Sequence, residues 1–469
     1  MAEGLQPSED SEPVPPPGDS EPLPPPGDTE PRMRRWLARL RRTLPGRILA
    51  AVGDRVGANL RDPAMVLPLV FIGALATRAI WLELPHALVF DEAYYVNAAR
   101  VILGWAVPAG GHYAGSPMGL DPNSEHPPLG KVLIAGSMLI FGDNGLGWRL
   151  PSLIAGMVAL GATYRIVRAT GEGPWFGILV VSMLALDNLT FVHGRIGTLD
   201  MLVLAPILVA AWLALRERWA LAGLATAIGL LMKITAIYGI GAVLLLVLLR
   251  KGPDWWRQRR IPLADVRGPI VFVAVFVVAG LAGLGLLDAR FTAFASPFDH
   301  LRRMIDYGSA LRAPVSSVGF CPSTDSRPWE WIFNECQIPY YRTDVTVRAG
   351  GKVIAVITKL DVRGALNPFL VGAIPLSTLF AVWYAVKARS LVAMWALAWG
   401  AANYLPYVLL GLATHRIMYI YYTLPLVPAL AVAVALLLRR SGLPRFVQAG
   451  FLVAYVMGFI AYFPFRTIP

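Results

Sequence analysis

The strongest constraint on this chain is a rhythm: apolar stretches of about 20 residues recur along it, separated by short turns that carry arginine. Such stretches match the thickness of a bilayer core, and a helix crosses that core with every backbone group satisfied internally. Composition agrees, with 56% hydrophobic and only 15% charged residues, against about 25% charged in an ordinary soluble domain. The expected fold is therefore an all-α polytopic membrane protein. The formal charge of +12 does not indicate nucleic acid, because the arginines sit in short connections between apolar runs. There they orient spans and meet anionic lipid.

Basic clusters fall at Arg32–Arg61, Arg165 and Arg168, Arg216 and Arg218, Arg250–Arg267, Lys387 and Arg389, and Arg439–Arg445. If all face the cytoplasm, each apolar stretch between two of them crosses the membrane an even number of times. Trp219–Leu249 then folds as a hairpin with Lys233 near its outer turn, and Pro174–Leu215 as another with the tip His193–Asp200. Leu391–Leu438 forms a third, its tip at Thr414–Arg416. Two spans between Arg267 and Lys387 enclose an outer loop at residues 288–363. Ala64–Leu82 leaves the cytoplasm, a span beginning near Arg149 returns, and a last one at Phe446–Phe463 ends outside. The sum is about 11 spans, N-terminus cytoplasmic and C-terminus extracytoplasmic. Pro127–Phe141 is short for a crossing and reads as a helix at the outer surface.

Ahead of this domain (63–469), residues 1–31 nearly repeat SEPVPPPGD as SEPLPPPGD, a proline density that builds no core and reads as a disordered cytoplasmic tail. Residues 32–62 place Trp36, Leu37, Leu40, Leu44 and Ile48 at helical spacing among arginines, a segment suited to lie on anionic headgroups. The N-terminus shows no basic patch followed by a short apolar core, so no cleavable signal is expected. The two cysteines, Cys321 and Cys336, share one outer loop; they either form a disulfide or remain thiols.

Within the first outer loop (83–148) lies a polar stretch, with FDEAYYVNAARVILG at Phe90–Gly104 and EHPPLGK at Glu125–Lys131. The adjacent carboxylates Asp91 and Glu92 need water, a cation or a reacting partner. Asp91 either caps the helix that follows or serves as a general base. The hairpin scheme places Asp91, Glu92, His126, Lys131, Arg195, Asp200, Lys233 and Arg416 at the outer ends of spans. No nucleotide-binding glycine loop, HExxH or paired CxxC is present, so no cofactor is demanded. A divalent ion held weakly by Asp91 and Glu92 stays open.

Taken together, FDEAYYVNAARVIL, HPPLGK, GWRLPS (Gly147–Ser152), GRIGTLD, SRPWEW (Ser326–Trp331) and RIMYIYYTLPLVP (Arg416–Pro428) resemble the polyprenyl-phosphate-sugar-dependent glycosyltransferases of the GT-C superfamily. Among these the protein O-mannosyltransferases of the GT39 family are the nearest. The resemblance implies a GT-C fold, often with 11 spans, and an active site facing the lumen or periplasm. It also implies an inverting transfer of a sugar, mannose in the protein O-mannosyltransferases, from a polyprenyl-phosphate donor to Ser or Thr of a secreted or membrane protein. Carried over, Asp91 deprotonates the acceptor hydroxyl, and Glu92 orients the acceptor or Asp91 itself. The outer loop is too short for the large inserted lumenal domain of eukaryotic members, which suggests a prokaryotic plasma-membrane enzyme and weakens the case for a protein acceptor.

Each further residue has two readings. Lys131 holds the donor phosphate or snorkels to the interface. Arg195 and Asp200 contact donor and substrate, or pair with each other. Lys233, a lysine in an apolar hairpin, calls for an anionic partner such as the donor phosphate, while Arg416 binds that phosphate or only signals orientation. His126 and Tyr95 join the substrate site, or His126 simply precedes a helix start at Pro127 and Pro128. Trp329 stacks on sugar or anchors its loop at the interface with Trp331. Arg149 is structural. Two other functions remain: the same donor with a lipid or glycan acceptor, as in aminoarabinose transferases, and a secondary transporter.

Overall fold

A computed structural model describes residues 61–312, 325–349 and 352–467. The chain divides into two compact units, residues 1–62 and 63–469. The expected tail, nearly all of the basic segment at 32–62, and Cys321 lie outside the described residues.

The larger unit is mainly helical. Its first half comprises α1 (Pro63–Ala79), α2 (Glu92–Ile102), α3 (Leu129–Phe141), α4 (Gly145–Ala169), α5 (Pro174–Ala185), α6 (Asn188–His193), α7 (Leu199–Leu215) and α8 (Trp219–Leu230). A 3-10 turn at Ile234–Ala236 leads into α9 (Ile237–Gln258), followed by α10 (Leu263–Phe291), α11 (Pro297–Ala310) and α12 (Pro328–Trp331). After two strands, β1 (Ile338–Ala349) and β2 (Lys352–Gly364), come α13 (Pro368–Lys387), α14 (Leu391–Ala413), a 3-10 segment at Ile420–Leu426, α15 (Val427–Arg440) and α16 (Arg445–Ala461).

Six helical segments among the described residues are long and apolar enough to cross a membrane, namely α4, α9 and α15 with their preceding 3-10 turns where present, α10, α13 and α14. The protein is a multi-pass membrane protein. Shorter apolar helices of 10–17 residues, among them α1, α5, α7, α8 and α16, stand where the sequence rhythm places the remaining spans. A count of 11 crossings therefore needs five helices below the usual length of about 20 residues.

Burial sets the layering. The apolar window of α15 is 83% buried, whereas those of α10 and α13 are 22% buried, so α15 is central and the other two are peripheral. The alanine-rich face of α15 suits that position, because small side chains let neighbouring helices approach closely. Gly223 does the same for α8: a Cβ there would lie 2.4 Å from the carbonyl oxygen of Phe272 on α10.

Alternate connections meet at one end of the bundle. Glu92 accepts from the backbone N–H of Gly197, Lys233 reaches Asp200, Arg416 reaches the carbonyl of Gly308, and Phe90 packs edge-on against Tyr421. Ser296 caps α11 through the N–H of Asp299, and this helix is exposed except around His300 and Met304.

One element departs from the all-α expectation. β1 and β2 form an antiparallel hairpin, with Val345 opposite Ile357 and Thr346 opposite Val356. Its sequence signal was available, since β-branched residues cluster on both sides of Gly350–Gly351. Cys336, just before β1, is disulfide-bonded.

Candidate active site

The two adjacent carboxylates have opposite environments. Asp91 precedes α2, and its backbone oxygen accepts from the N–H groups of Tyr94 and Tyr95 at 3.0 and 3.1 Å. Its side chain makes no capping bond, and among the described residues no hydrogen bond reaches its carboxylate. The capping alternative therefore does not describe it. Burial pushes this carboxyl up to about 7, while the Lys233 ammonium pulls it back and the Asp200 carboxylate adds to the rise.

Glu92, by contrast, is fully buried and saturated. Arg149 donates to both of its oxygens at 2.8 and 2.9 Å, Gly197 N–H to Oε1 at 2.7 Å, and Val89 N–H to Oε2 at 2.8 Å. A Cβ at position 197 would lie 2.6 Å from the carbonyl oxygen of Trp148, so glycine is what allows this approach. Glu92 thus ties the start of α2 to α4 and to the turn before α7. It has no oxygen left to orient an acceptor or to share a cation with Asp91.

The cations divide in the same way. Lys131 is wholly buried and held by Asp121 at 2.6 Å, both the backbone and side-chain oxygens of Asn123, and the carbonyl of His126. Its three ammonium hydrogens are spent on shaping the loop before α3. It neither snorkels nor offers a proton to a phosphate. Arg195 donates to the carbonyls of Thr77 and Trp81, both at 3.0 Å, and packs against Phe191 and Phe465. It does not pair with Asp200, and it fastens the end of α1 rather than reaching the Asp91 carboxyl.

Lys233 and Arg416 keep donors in reserve. Lys233 lies in the extended break between α8 and the 3-10 turn, gives one bond to Asp200 at 2.6 Å, and sits 5.7 Å from the Tyr421 ring centre. Only the Nε of the Arg416 guanidinium is engaged, on Gly308 at 2.7 Å, among the described residues. The Oδ2 of Asp200 and the Nδ1 of His126 are buried without a hydrogen-bond partner among those residues. Burial and the charges of Lys233 and Lys131 hold the His126 imidazole well below its ordinary value, which keeps it neutral. Tyr95 is buried with its ring 6.0 Å from that of His126. Tyrosines that sequence reasoning did not single out complete the wall: Tyr421 and Tyr422 lie 4.9 Å apart, and Tyr407 lies 5.0 Å from Tyr422. They belong to, or touch, the RIMYIYYTLPLVP motif, which was the available signal.

Trp329 is 40% exposed beside Arg327, whereas Trp331 is fully buried, donates to Ser326 and packs on Tyr407 and Tyr422. Trp331 is therefore a core residue under the tyrosine wall and no interfacial anchor.

Residues 125–279 match the family described as dolichyl-phosphate-mannose-protein mannosyltransferase. A polyprenol-phosphate-mannose–protein mannosyltransferase of Corynebacterium glutamicum is 24% identical over 438 residues, covering 78% of this chain and 81% of that one. The Saccharomyces cerevisiae protein O-mannosyltransferase Pmt1-Pmt2 complex bound to the sugar donor superposes with a TM-score of 0.62 at 11% identity, covering 92% of this chain and 91% of that one. The chain has the fold of the GT-C glycosyltransferases. The same enzyme fold appears in ArnT of Cupriavidus metallidurans bound to undecaprenyl phosphate, with a TM-score of 0.50 at 17% identity over 82% of this enzyme and 62% of that chain. An undecaprenyl phosphate-alpha-4-amino-4-deoxy-L-arabinose arabinosyl transferase of Pseudomonas fluorescens is 28% identical over 292 residues, 58% of this enzyme and 45% of that one. Among the described residues of the enzyme, no group of three or more His, Cys, Asp or Glu is placed to hold a metal ion.

Proposed function

We propose that this enzyme moves mannose from a polyprenyl-phosphate donor to a Ser or Thr hydroxyl of a secreted or membrane protein, with inversion, on the extracytoplasmic face of a prokaryotic plasma membrane. The Asp91 end of the bundle faces outward in this reading, because the arginine-bearing connections lie between the opposite ends of the spans.

In the reaction, Asp91 accepts the proton of the acceptor hydroxyl as its oxygen attacks the sugar C1 opposite the phosphate. The C1–O bond to polyprenyl phosphate breaks, and the leaving anion gathers its charge beside Lys233 and Arg416. Asp200 holds Lys233 in place at 2.6 Å, and His126 and Tyr95 line the acceptor side. The single observation that carries this reading is a carboxyl that no hydrogen bond reaches among the described residues, near a lysine with unspent hydrogens, where burial pushes it up to about 7. A base with that value is poised for proton transfer near neutral pH.

Membranes containing the enzyme, incubated with labelled polyprenyl-phosphate mannose, are expected to carry base-labile label in protein. The identity to the Pseudomonas aminoarabinose transferase supports a second reading with the same donor class and a lipid or glycan acceptor. Label extracted wholly with lipid would replace the first reading by the second, and labelled donor taken up intact would point instead to transport.

A further inference from the structure

The β1–β2 hairpin leaves the helical bundle with much of its surface uncovered: residues 342–346 and 352–357 are exposed. Val345 and Val347 of β1 share one face with Ala355 and Ile357 opposite them, so that face is apolar. The two edges differ. At its base, β2 is already paired on its outer side, with Asp361 N–H donating to Pro464 and Arg466 N–H to Lys359, both at 2.9 Å. Leu360 bridges to Phe465 there. β1 has 12 residues, and none of them makes a backbone bond outside the β1–β2 ladder among the described residues. A long free edge of this kind is a template for another extended chain.

That edge also leads somewhere. At the foot of β1 the Tyr340 ring stacks on Phe90 at 4.1 Å, and its hydroxyl meets His193 Nε2 at 3.0 Å. Phe90 is the residue before Asp91. A segment added along β1 therefore runs from solvent to the neighbour of the proposed base, whereas one added along β2 stops at the C-terminal segment.

The geometry points to the free edge of β1 as the docking surface for the acceptor polypeptide, taken up as an extended third strand. This inference rests on the reading that the acceptor is a protein. Pairing centres on Asp344–Val347, where four successive pairs, from Asp344 opposite Thr358 to Val347 opposite Ala355, keep an unbroken register. Backbone pairing is indifferent to acceptor sequence, while Val345 and Val347 favour apolar or β-branched residues at alternate acceptor positions. From Thr346 to Tyr340 the strand spans about 20 Å at ~3.3 Å per residue, which sets the reacting hydroxyl about six residues from the docked centre. Lipid chains are a poor match for this surface, since they offer nothing to a strand's free N–H and C=O groups. A second copy of the chain is the competing occupant.

The test uses the full-length protein in lipid nanodiscs. In the Asp91→Asn variant, so that acceptor is not consumed, a photo-crosslinking benzoylphenylalanine is placed at Thr346 and, as a control, at Lys359. A synthetic Ser/Thr peptide of about 15 residues is expected to crosslink from position 346 and not from 359. In the unmodified enzyme, N-methylation of alternate peptide bonds about six residues from the reacting hydroxyl is expected to lower kcat/KM on the order of tenfold, as loss of a hydrogen bond does. Shifting the methyl groups by one residue is expected to have little effect. A hairpin shortened by excising residues 343–358 keeps donor binding and raises the peptide KM. Crosslinks only between two copies of the chain, or only to lipid, overturn the proposal. Mannosylated protein with no peptide crosslink along β1 overturns the docking surface and leaves the proposed function standing; absence of any labelled protein removes both.

Discussion

Lys131 and Lys233 lie at the same end of the bundle, and both read from sequence as phosphate ligands. Lys131 is closed in by Asp121, Asn123 and His126, and it belongs to a framework with Glu92–Arg149 and the Arg195 contacts to α1. Lys233 gives one bond to Asp200 and stands with Asp91 and the Arg416 guanidinium in a region that retains hydrogen-bonding capacity. Buried charge in a membrane protein thus serves two ends. Saturated groups hold loops in place, and unsaturated ones are left to meet something that comes and goes.

The comparison breaks most visibly at Asp91. Asp91→Asn is expected to lower transfer by about 10²–10⁴-fold, the range for loss of a general base, with the melting temperature in detergent unchanged. Retained activity would move Asp91 out of the open region altogether. Lys131→Met should do the reverse. Removing one partner of a buried pair costs about 3–5 kcal/mol, so thermal stability and yield fall, and Asp121→Asn in the same chain recovers part of the loss. A stable Lys131→Met enzyme that has lost only donor affinity would erase the distinction.

Smaller effects sharpen it. Arg416→Gln is expected to raise the donor KM by about ten- to a hundredfold, for one lost charged hydrogen bond of about 1.5–3 kcal/mol, with a smaller loss of stability from the Gly308 contact. The pH profile tests the neighbours of Asp91. Because its carboxyl is raised to about 7, the reactive carboxylate is lost as pH falls through that value, so kcat/KM climbs from pH 6 to pH 8. Lys233 lowers this value, so in Lys233→Met the rising limb moves to higher pH, measured from residual activity. A limb that stays put would separate Lys233 from Asp91.

The rhythm of apolar runs and arginines made the multi-pass fold legible, and hairpin logic placed Asp91, Asp200, Lys233 and Arg416 at the outer ends of spans. What sequence could not convey is valence. Whether Glu92 or Lys131 has a free atom depends on Arg149, Gly197 and Asn123, which reach them only in three dimensions. The β-hairpin was hidden for another reason: its β-branched runs on either side of Gly350–Gly351 are too short to stand out beside apolar stretches of bilayer length.

Phe90 has a left-handed backbone, φ 54°, which is uncommon for a bulky residue, and its ring is clasped by Tyr340 and Tyr421 from late in the chain. The acidic pair is therefore aimed from a distance. A fragment ending after the first loop would carry both carboxylates and yet lack the fingers that turn one outward and the other in, which makes the site a property of the finished bundle.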